Sequence, residues 1–262
     1  MTLRFAPNLT MLYPEIPFLD RFARAAAAGF TAVEFLFPYE FGAPAIKNRL
    51  DEYGLRAVLF NINPGNVAAG ERGSLNDPAR RDAFRQSMQE ALEYAHHFAC
   101  PRIHVMVGNR LPGLTTEAQL ACVLENLAWA APLAAAAGVT LLIEPLNAID
   151  MPCYFVHSPS EGMQIVRGAN HPAVKLQYDV YHTQMTEGNL IQSMTTLMPH
   201  IGHIQISDVP GRHQPGTGEI NYPAIFAAIE RLGYTGYIGL EYRPDGDTDV
   251  SLAWLPREAR GR

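Results

Sequence analysis

Val139-Thr-Leu-Leu-Ile143 is a short apolar run that stops abruptly at Glu144-Pro145. Ser158-Pro159-Ser160-Glu161 then predicts the start of a helix reaching about Arg167, with a hydroxyl before the helix and proline at its first position. Val174-Lys-Leu-Gln-Tyr178 is the next apolar run, and it stops at Asp179. Strand, helix and strand in this order make a parallel pair, because neighbouring parallel strands need a crossover.

The same unit recurs on both sides. Further strands are predicted over Arg4–Leu9, Ala32–Phe37, Ala57–Ile62, Arg102–Val107, Ile201–Ile206 and Tyr237–Leu240. Helices are predicted over Ile16–Ala28, Ala45–Tyr53, Thr116–Ala137, Leu190–Met198 and Asn221–Leu232, and from Asp77-Pro78 to about Ala99. Gly29, Gly54, Gly138 and Gly233 close four of them. Eight alternating units in 262 residues give an α/β chain folded as a single (β/α)8 TIM barrel over residues 1–262. A doubly wound sheet is the main alternative. It calls for a glycine-rich phosphate loop after the first strand, and Asn8-Leu-Thr-Met11 is not one. Trp254, in the tail, is expected to cover the barrel.

Composition narrows the function. Twenty Lys+Arg stand against 26 Asp+Glu, a net charge of −6 with no basic run, which argues against a nucleic-acid partner. Cys100, Cys122 and Cys153 are too few and too widely spaced for a disulfide framework or a thiolate metal site. The N-terminus has no signal-like apolar segment, and no uncharged run is long enough for a membrane span. A cytoplasmic, soluble protein without a membrane partner is expected; a homo-oligomer is left open.

Chemistry in such a barrel belongs at the C-terminal strand ends. There the sequence places Glu144 on the fifth strand, Asp179 on the sixth, Gln205 on the seventh and Glu241 on the eighth. A carboxylate at the end of a buried strand must be solvated, paired or metal-bound. Any one of these acids can simply pair with an arginine or cap a helix. Four oxygen donors on neighbouring strands instead suit one hard divalent cation, Mg²⁺ or Mn²⁺. His182, three residues after Asp179, is expected in a loop facing the same mouth, to bind substrate or support the metal. Arg72 and Arg212, in the loops after strands three and seven, suit a substrate carboxylate, although loop arginines are often plain surface charge. Glu34 and Asp150 are further mouth candidates. His203 is read as packing or as support beneath Gln205, and His96-His97 as surface. Lys175 lies too deep for a Schiff base and is expected to form an ion pair at the barrel floor.

These residues sit in longer stretches that resemble the hydroxypyruvate isomerase family, among the xylose-isomerase-like TIM barrels. The stretches run nearly end to end: Phe5-Ala-Pro-Asn-Leu-Thr-Met-Leu12, Gly29-Phe-Thr-Ala-Val-Glu-Phe-Leu-Phe-Pro-Tyr39, Ala68-Ala-Gly-Glu-Arg-Gly73, Leu142-Ile-Glu-Pro-Leu-Asn147, Gln177-Tyr-Asp-Val-Tyr-His182, Gly202-His-Ile-Gln-Ile-Ser-Asp208, Pro215-Gly-Thr-Gly-Glu-Ile-Asn-Tyr222 and Gly239-Leu-Glu-Tyr242. The resemblance implies a metal held by Glu144, Asp179, Gln205 and Glu241, with Glu144 and Glu241 as the proton-transferring pair. It implies a small hydroxy-oxo acid as substrate: hydroxypyruvate going to tartronate semialdehyde, or 2-oxo-tetronate to its 3-oxo isomer. The alternatives are a ketose 3-epimerase acting on an uncharged sugar, an AP-endonuclease-like nuclease, and a non-catalytic sugar-binding barrel. The nuclease needs further histidine ligands at the ends of strands three and four, and those ends read Asn61 and Val107.

Overall fold

The computed structural model describes residues 3–261. Eight parallel strands form one sheet: β1 (Arg4–Pro7), β2 (Ala32–Glu34), β3 (Arg56–Asn61), β4 (Arg102–His104), β5 (Thr140–Ile143), β6 (Val174–Asp179), β7 (Ile201–Ile206) and β8 (Tyr237–Leu240). Their order is β1-β8-β7-β6-β5-β4-β3-β2. A parallel bridge from Asn8 to Glu34 joins the two ends, with the Leu9 N–H donating to Glu34 O at 2.7 Å. The sheet is therefore a nearly closed (β/α)8 barrel.

Helices fill the crossovers: α1 (Arg21–Ala27), α2 (Ala43–Glu52), α3 (Arg81–Phe98), α4 (Thr116–Ala136), α5 (Pro159–Ala169), α6 (Val180–Thr186), α7 (Leu190–Leu197) and α8 (Tyr222–Arg231). Two short helices, α9 (Thr248–Ser251) and α10 (Arg257–Arg260), end the chain. Local chemistry sets the boundaries. Ser158 and Glu161 form a reciprocal capping box at α5, and Asn221 caps α8 from its side chain. Pro17 keeps the residue before it out of the helical region, so helical turns begin only at Phe18 rather than at Ile16.

Side chains alternate across each strand. Outward residues such as Phe5, Phe60, Ile103, Ile143, Tyr178, Ile204 and Leu240 join the core between sheet and helices. Inward residues near the floor are small, with Ala6, Ala32 and Val58 packed together. Nearer the mouth the lumen becomes polar on every strand: Asn8, Glu34, Asn61, His104, Glu144, Asp179, Gln205 and Glu241 are all buried. The barrel thus places a polar ring above an apolar plug.

Three expectations need correction. β4 ends at His104, not Val107, because the backbone departs from regular pairing after that residue. His182 lies in the first turn of helix α6, not in a loop, because Asp179 caps that turn. Lys175 does sit at the floor, but its Nζ donates to Pro199 O at 3.1 Å and it forms no ion pair among the described residues. Trp254 covers the barrel wall, as expected, stacking on Phe226 and meeting Phe5 edge-on.

Candidate active site at the barrel mouth

Four of the eight strands carry the reactive groups. Glu144 follows β5, Asp179 closes β6 and Glu241 follows β8, so alternation aims all three carboxylates into the lumen. Asp179 has a structural task as well. Its Oδ1 accepts from the Tyr181 N–H at 2.7 Å and the His182 N–H at 3.4 Å, the N-terminus of α6. Its Oδ2 lies 3.4 Å from Nη2 of Arg212, and the same Nη2 lies 3.4 Å from Glu241 Oε2. One oxygen thus caps the helix, while the other faces the arginine.

Arg212 reaches this position from the loop after β7. Its φ is +59°, a left-handed conformation that non-glycine residues rarely adopt. Asp208 holds the loop in place by accepting N–H groups from Val209, Gly216 and Ile220. The Arg212 carbonyl accepts from the Arg243 N–H at 2.8 Å, which ties the loop to the chain after β8. Strain at Arg212 is therefore stored in a well-braced loop.

Gln205 takes a different role from its three companions. Its Oε1 accepts from Gln177 Nε2 at 2.5 Å, and its Nε2 donates to Glu34 Oε1 at 2.8 Å. Glu34 is fully buried and also accepts from Asn8 Nδ2 at 3.1 Å, while its Oε2 meets His203 Nε2 at 2.7 Å. A Cβ on Gly239 would run into the Glu34 carboxylate, so glycine there makes its room. Glu34 thus lies below the mouth and orients Gln205; His203 supports that carboxylate, as expected. Asp150 stands at the rim, accepting from Tyr181 OH at 2.9 Å.

The tightest donor group is Glu144, Asp179 and His182, whose ligand atoms lie within 4.8 Å of one another. Glu241 is linked to it through Arg212. Burial strongly favours the protonated carboxyls here. Glu144 is held well above the usual carboxylate range, first by burial and then by Glu241 and Asp179. Burial raises Glu241 to about 8, against the pull of Arg212. Asp179 is raised less simply: burial lifts it, and Arg212 with two backbone N–H groups opposes. The histidines move the other way. Burial lowers His104 to about 3, and burial with Arg212 lowers His182 well below its ordinary value. Arg212 stays charged, since three carboxylates more than offset its burial.

A cavity of about 210 Å³ opens above these groups. Glu144, Glu241, His182, Arg212 and Arg72 line it, together with His104 and Arg243. Arg72 is anchored through Nη1, which donates to Glu71 O at 2.7 Å and Val67 O at 3.2 Å. The rest of its guanidinium has no carboxylate partner among the described residues. Two lining residues escaped the sequence reading. His104 Nδ1 lies 3.2 Å from Glu144 Oε2; the apolar run continuing to Val107 hid the strand end. Arg243, two residues past Glu241, carries no signal beyond that spacing.

The donor chemistry fits a hard cation. Three carboxylates face one guanidinium, which leaves two negative charges in excess when all are ionised. Glu144 Oε1 is buried without a hydrogen-bond partner, and Glu241 Oε2 has only the Arg212 guanidinium at 3.4 Å, outside hydrogen-bond geometry. A buried lone pair without a donor is costly unless something cationic or protic meets it. A divalent cation would balance both the charge and the lone pairs.

The pattern of the family described as xylose isomerase-like TIM barrel matches residues 22–258. A Cupriavidus necator protein named 2-oxo-tetronate isomerase is 50% identical over 96% of this chain and 97% of its own length. A hydroxypyruvate isomerase of Escherichia coli is 40% identical over 97% of this chain and 98% of its own. A crystal structure of an AP endonuclease, family 2, from Brucella melitensis superposes with a TM-score of 0.94 at 43% identity, covering 97% and 98% of the two chains. No helix among the described residues is long and apolar enough to cross a membrane.

Proposed function

Because the chain belongs to the xylose isomerase-like TIM barrel family, we propose that it is an isomerase of a small hydroxy-oxo acid, moving a carbonyl one carbon along the chain. The relative at 50% identity favours the four-carbon 2-oxo-tetronate over hydroxypyruvate as the preferred substrate. One observation carries the reading: two buried glutamates with raised proton affinity, Glu144 and Glu241, flank one cavity beside the free side of Arg72.

Glu144, Asp179, Glu241 and the Gln205 carbonyl would hold one Mg²⁺ or Mn²⁺, the last by exchanging its bond from Gln177. When bound, that ion supplies Lewis-acid stabilisation of negative charge developing on the substrate oxygens, worth several kcal/mol. The protein supplies the rest. Arg72 takes the substrate carboxylate through its uncommitted guanidinium edge and fixes which carbon lies over the glutamates. One glutamate removes the proton α to the carbonyl, leaving an enediolate. The other delivers a proton to the former carbonyl carbon while the hydroxyl proton passes to the former carbonyl oxygen, and a positioned acid–base pair of this kind adds roughly 10²–10⁴-fold. Arg212, 3.4 Å from both Glu241 and Asp179, favours their ionised forms against burial.

The test is an assay of purified protein with Mg²⁺ or Mn²⁺, given hydroxypyruvate and 2-oxo-tetronate side by side. Isomerisation that EDTA abolishes and Mn²⁺ restores is expected, faster on the four-carbon acid. Full turnover by protein stripped of divalent ions would overturn the metal assignment. His104 at the end of β4 supplies one of the two histidines a nuclease reading requires, while β3 ends in Asn61. Elemental analysis separates the two: one divalent ion per chain is expected, and a multi-metal cluster would favour the nuclease.

A further inference from the structure

We infer that Asn147 is the positioning residue that fixes the His182 imidazole as its Nε2–H tautomer, so that the ring presents a donor to the cavity and not a metal ligand. This rests on the isomerase reading for the identity of the acceptor, but not for the protonation pattern. The Asn147 backbone N–H points at His182 Nδ1 from 3.1 Å. A backbone amide can only donate, so Nδ1 must accept and carries no proton. The side chain agrees. Asn147 Nδ2 lies 2.7 Å from the same Nδ1. Its amide cannot be reversed, because Oδ1 already accepts from the N–H groups of Ile149 at 3.1 Å and Asp150 at 2.9 Å. Nδ2 also donates to Asp150 Oδ2 at 3.0 Å. Turning the imidazole over would set a carbon against a buried backbone N–H and leave it unsatisfied.

The ring's one proton therefore sits on Nε2. That nitrogen lies 3.8 Å from Asp179 Oδ2, and the ring lines the cavity with Glu144, Arg212 and Glu241. A nitrogen bearing a proton has no lone pair for a metal. Glu144, Asp179 and His182 look like a three-ligand cluster by distance alone. The hydrogen bonds remove the imidazole from that set, leave oxygen donors, and favour a hard cation over Zn²⁺. Moving the proton to Nδ1 would free Nε2 only by setting an N–H against two other N–H groups. His182 can then donate to the substrate oxygen on which negative charge grows as the α proton leaves. It gives up no proton itself, and its donor is oriented before reaction begins.

Nitrogen-15 NMR of histidine-labelled, metal-free, full-length protein tests the tautomer directly, with His182 assigned by its loss in His182→Gln. A pyridine-like Nδ1 and a pyrrole-like Nε2 are expected from the fixed tautomer. An Nδ1–H tautomer would overturn the inference. Mn²⁺ titration by calorimetry provides a second readout. In His182→Gln the affinity should stay within about threefold, whereas loss of a metal-ordering contact costs roughly 10–100-fold. A tenfold or greater loss would also overturn it. Wild-type protein that binds no Mn²⁺ at all, yet shows the expected tautomer, would count against the metal reading of the preceding section and leave the tautomer assignment standing.

Discussion

The two ends of the barrel carry charge in opposite ways. At the floor, a cavity of about 630 Å³ is lined by Arg4, Arg56, Arg102 and Lys47, three times the volume of the one at the mouth. Its charges are satisfied individually and remain partly in water. Arg4 lies over the Tyr237 ring, Arg102 donates to Gly202 O at 2.8 Å, and Lys47 pairs with Asp51 one helical turn away. At the mouth, carboxylates of one sign are buried against each other with one guanidinium among them. The larger opening is a surface that folding left, whereas the smaller one stores electrostatic repulsion. Stored repulsion between titratable groups is what proton-transfer chemistry needs, so volume is the poorer guide to the site.

The contrast breaks most visibly at the glutamates. Glu144→Gln or Glu241→Gln is expected to lower kcat by about 10³-fold while substrate binding persists, because each removes one partner of the proton transfer. Steady-state kinetics with a separate binding isotherm measures this; near-normal kcat in either variant contradicts the pairing. Arg72→Ala should raise KM for the carboxylate substrate by about tenfold or more, the cost of a lost charged hydrogen bond. An equal effect on an uncharged sugar analogue would remove its anion-binding role.

Burial of these carboxyls, reinforced by their mutual repulsion, also predicts how stability depends on pH. Unfolded carboxylates lose their protons near pH 4–5, whereas folded Glu241 does so only near 8 and Glu144 is raised as well. The native state binds more protons across that window, so these groups make stability fall as pH rises through it. His104 and His182 act oppositely. They stay neutral when folded, while unfolded histidines protonate below about pH 6.5, so stability falls as pH drops. The trends offset each other between about 4.5 and 6.5, and only the carboxylates act above. Melting temperature in EDTA should therefore fall from about pH 6.5 to 8, and excess Mn²⁺ should flatten that fall. A level alkaline limb in EDTA would show that the carboxyls are not raised. The smallest effect belongs to the floor: Arg56→Ala should change stability by less than about 0.5 kcal/mol and leave kcat/KM unaltered.

Period-two alternation and capping chemistry made most of the barrel legible from residues alone. Strands ending in Glu144, Asp179 and Glu241 were readable because an acid interrupts an apolar run. His104 was not, because its strand runs on into Val105, Met106 and Val107 without a break. The helix after Asp179 was missed because its cap and a candidate metal ligand are the same carboxylate, and both readings fit the letters. Gln205 was found at the right height, but its engagement with Gln177 and Glu34 depends on strands far apart in sequence. Arg212 was weighed as a loop arginine; only the braced loop around Asp208 turns it inward.

The central claim is that Glu144 and Glu241 carry a proton between neighbouring carbons of one substrate. Turnover in heavy water, followed by proton NMR of the product, tests it most directly. Deuterium at the newly protonated carbon is the expected result, since a carboxylic acid exchanges its proton with solvent. Product formed at full rate without any deuterium would mean that hydrogen passes directly between the carbons, and would contradict the two-glutamate account.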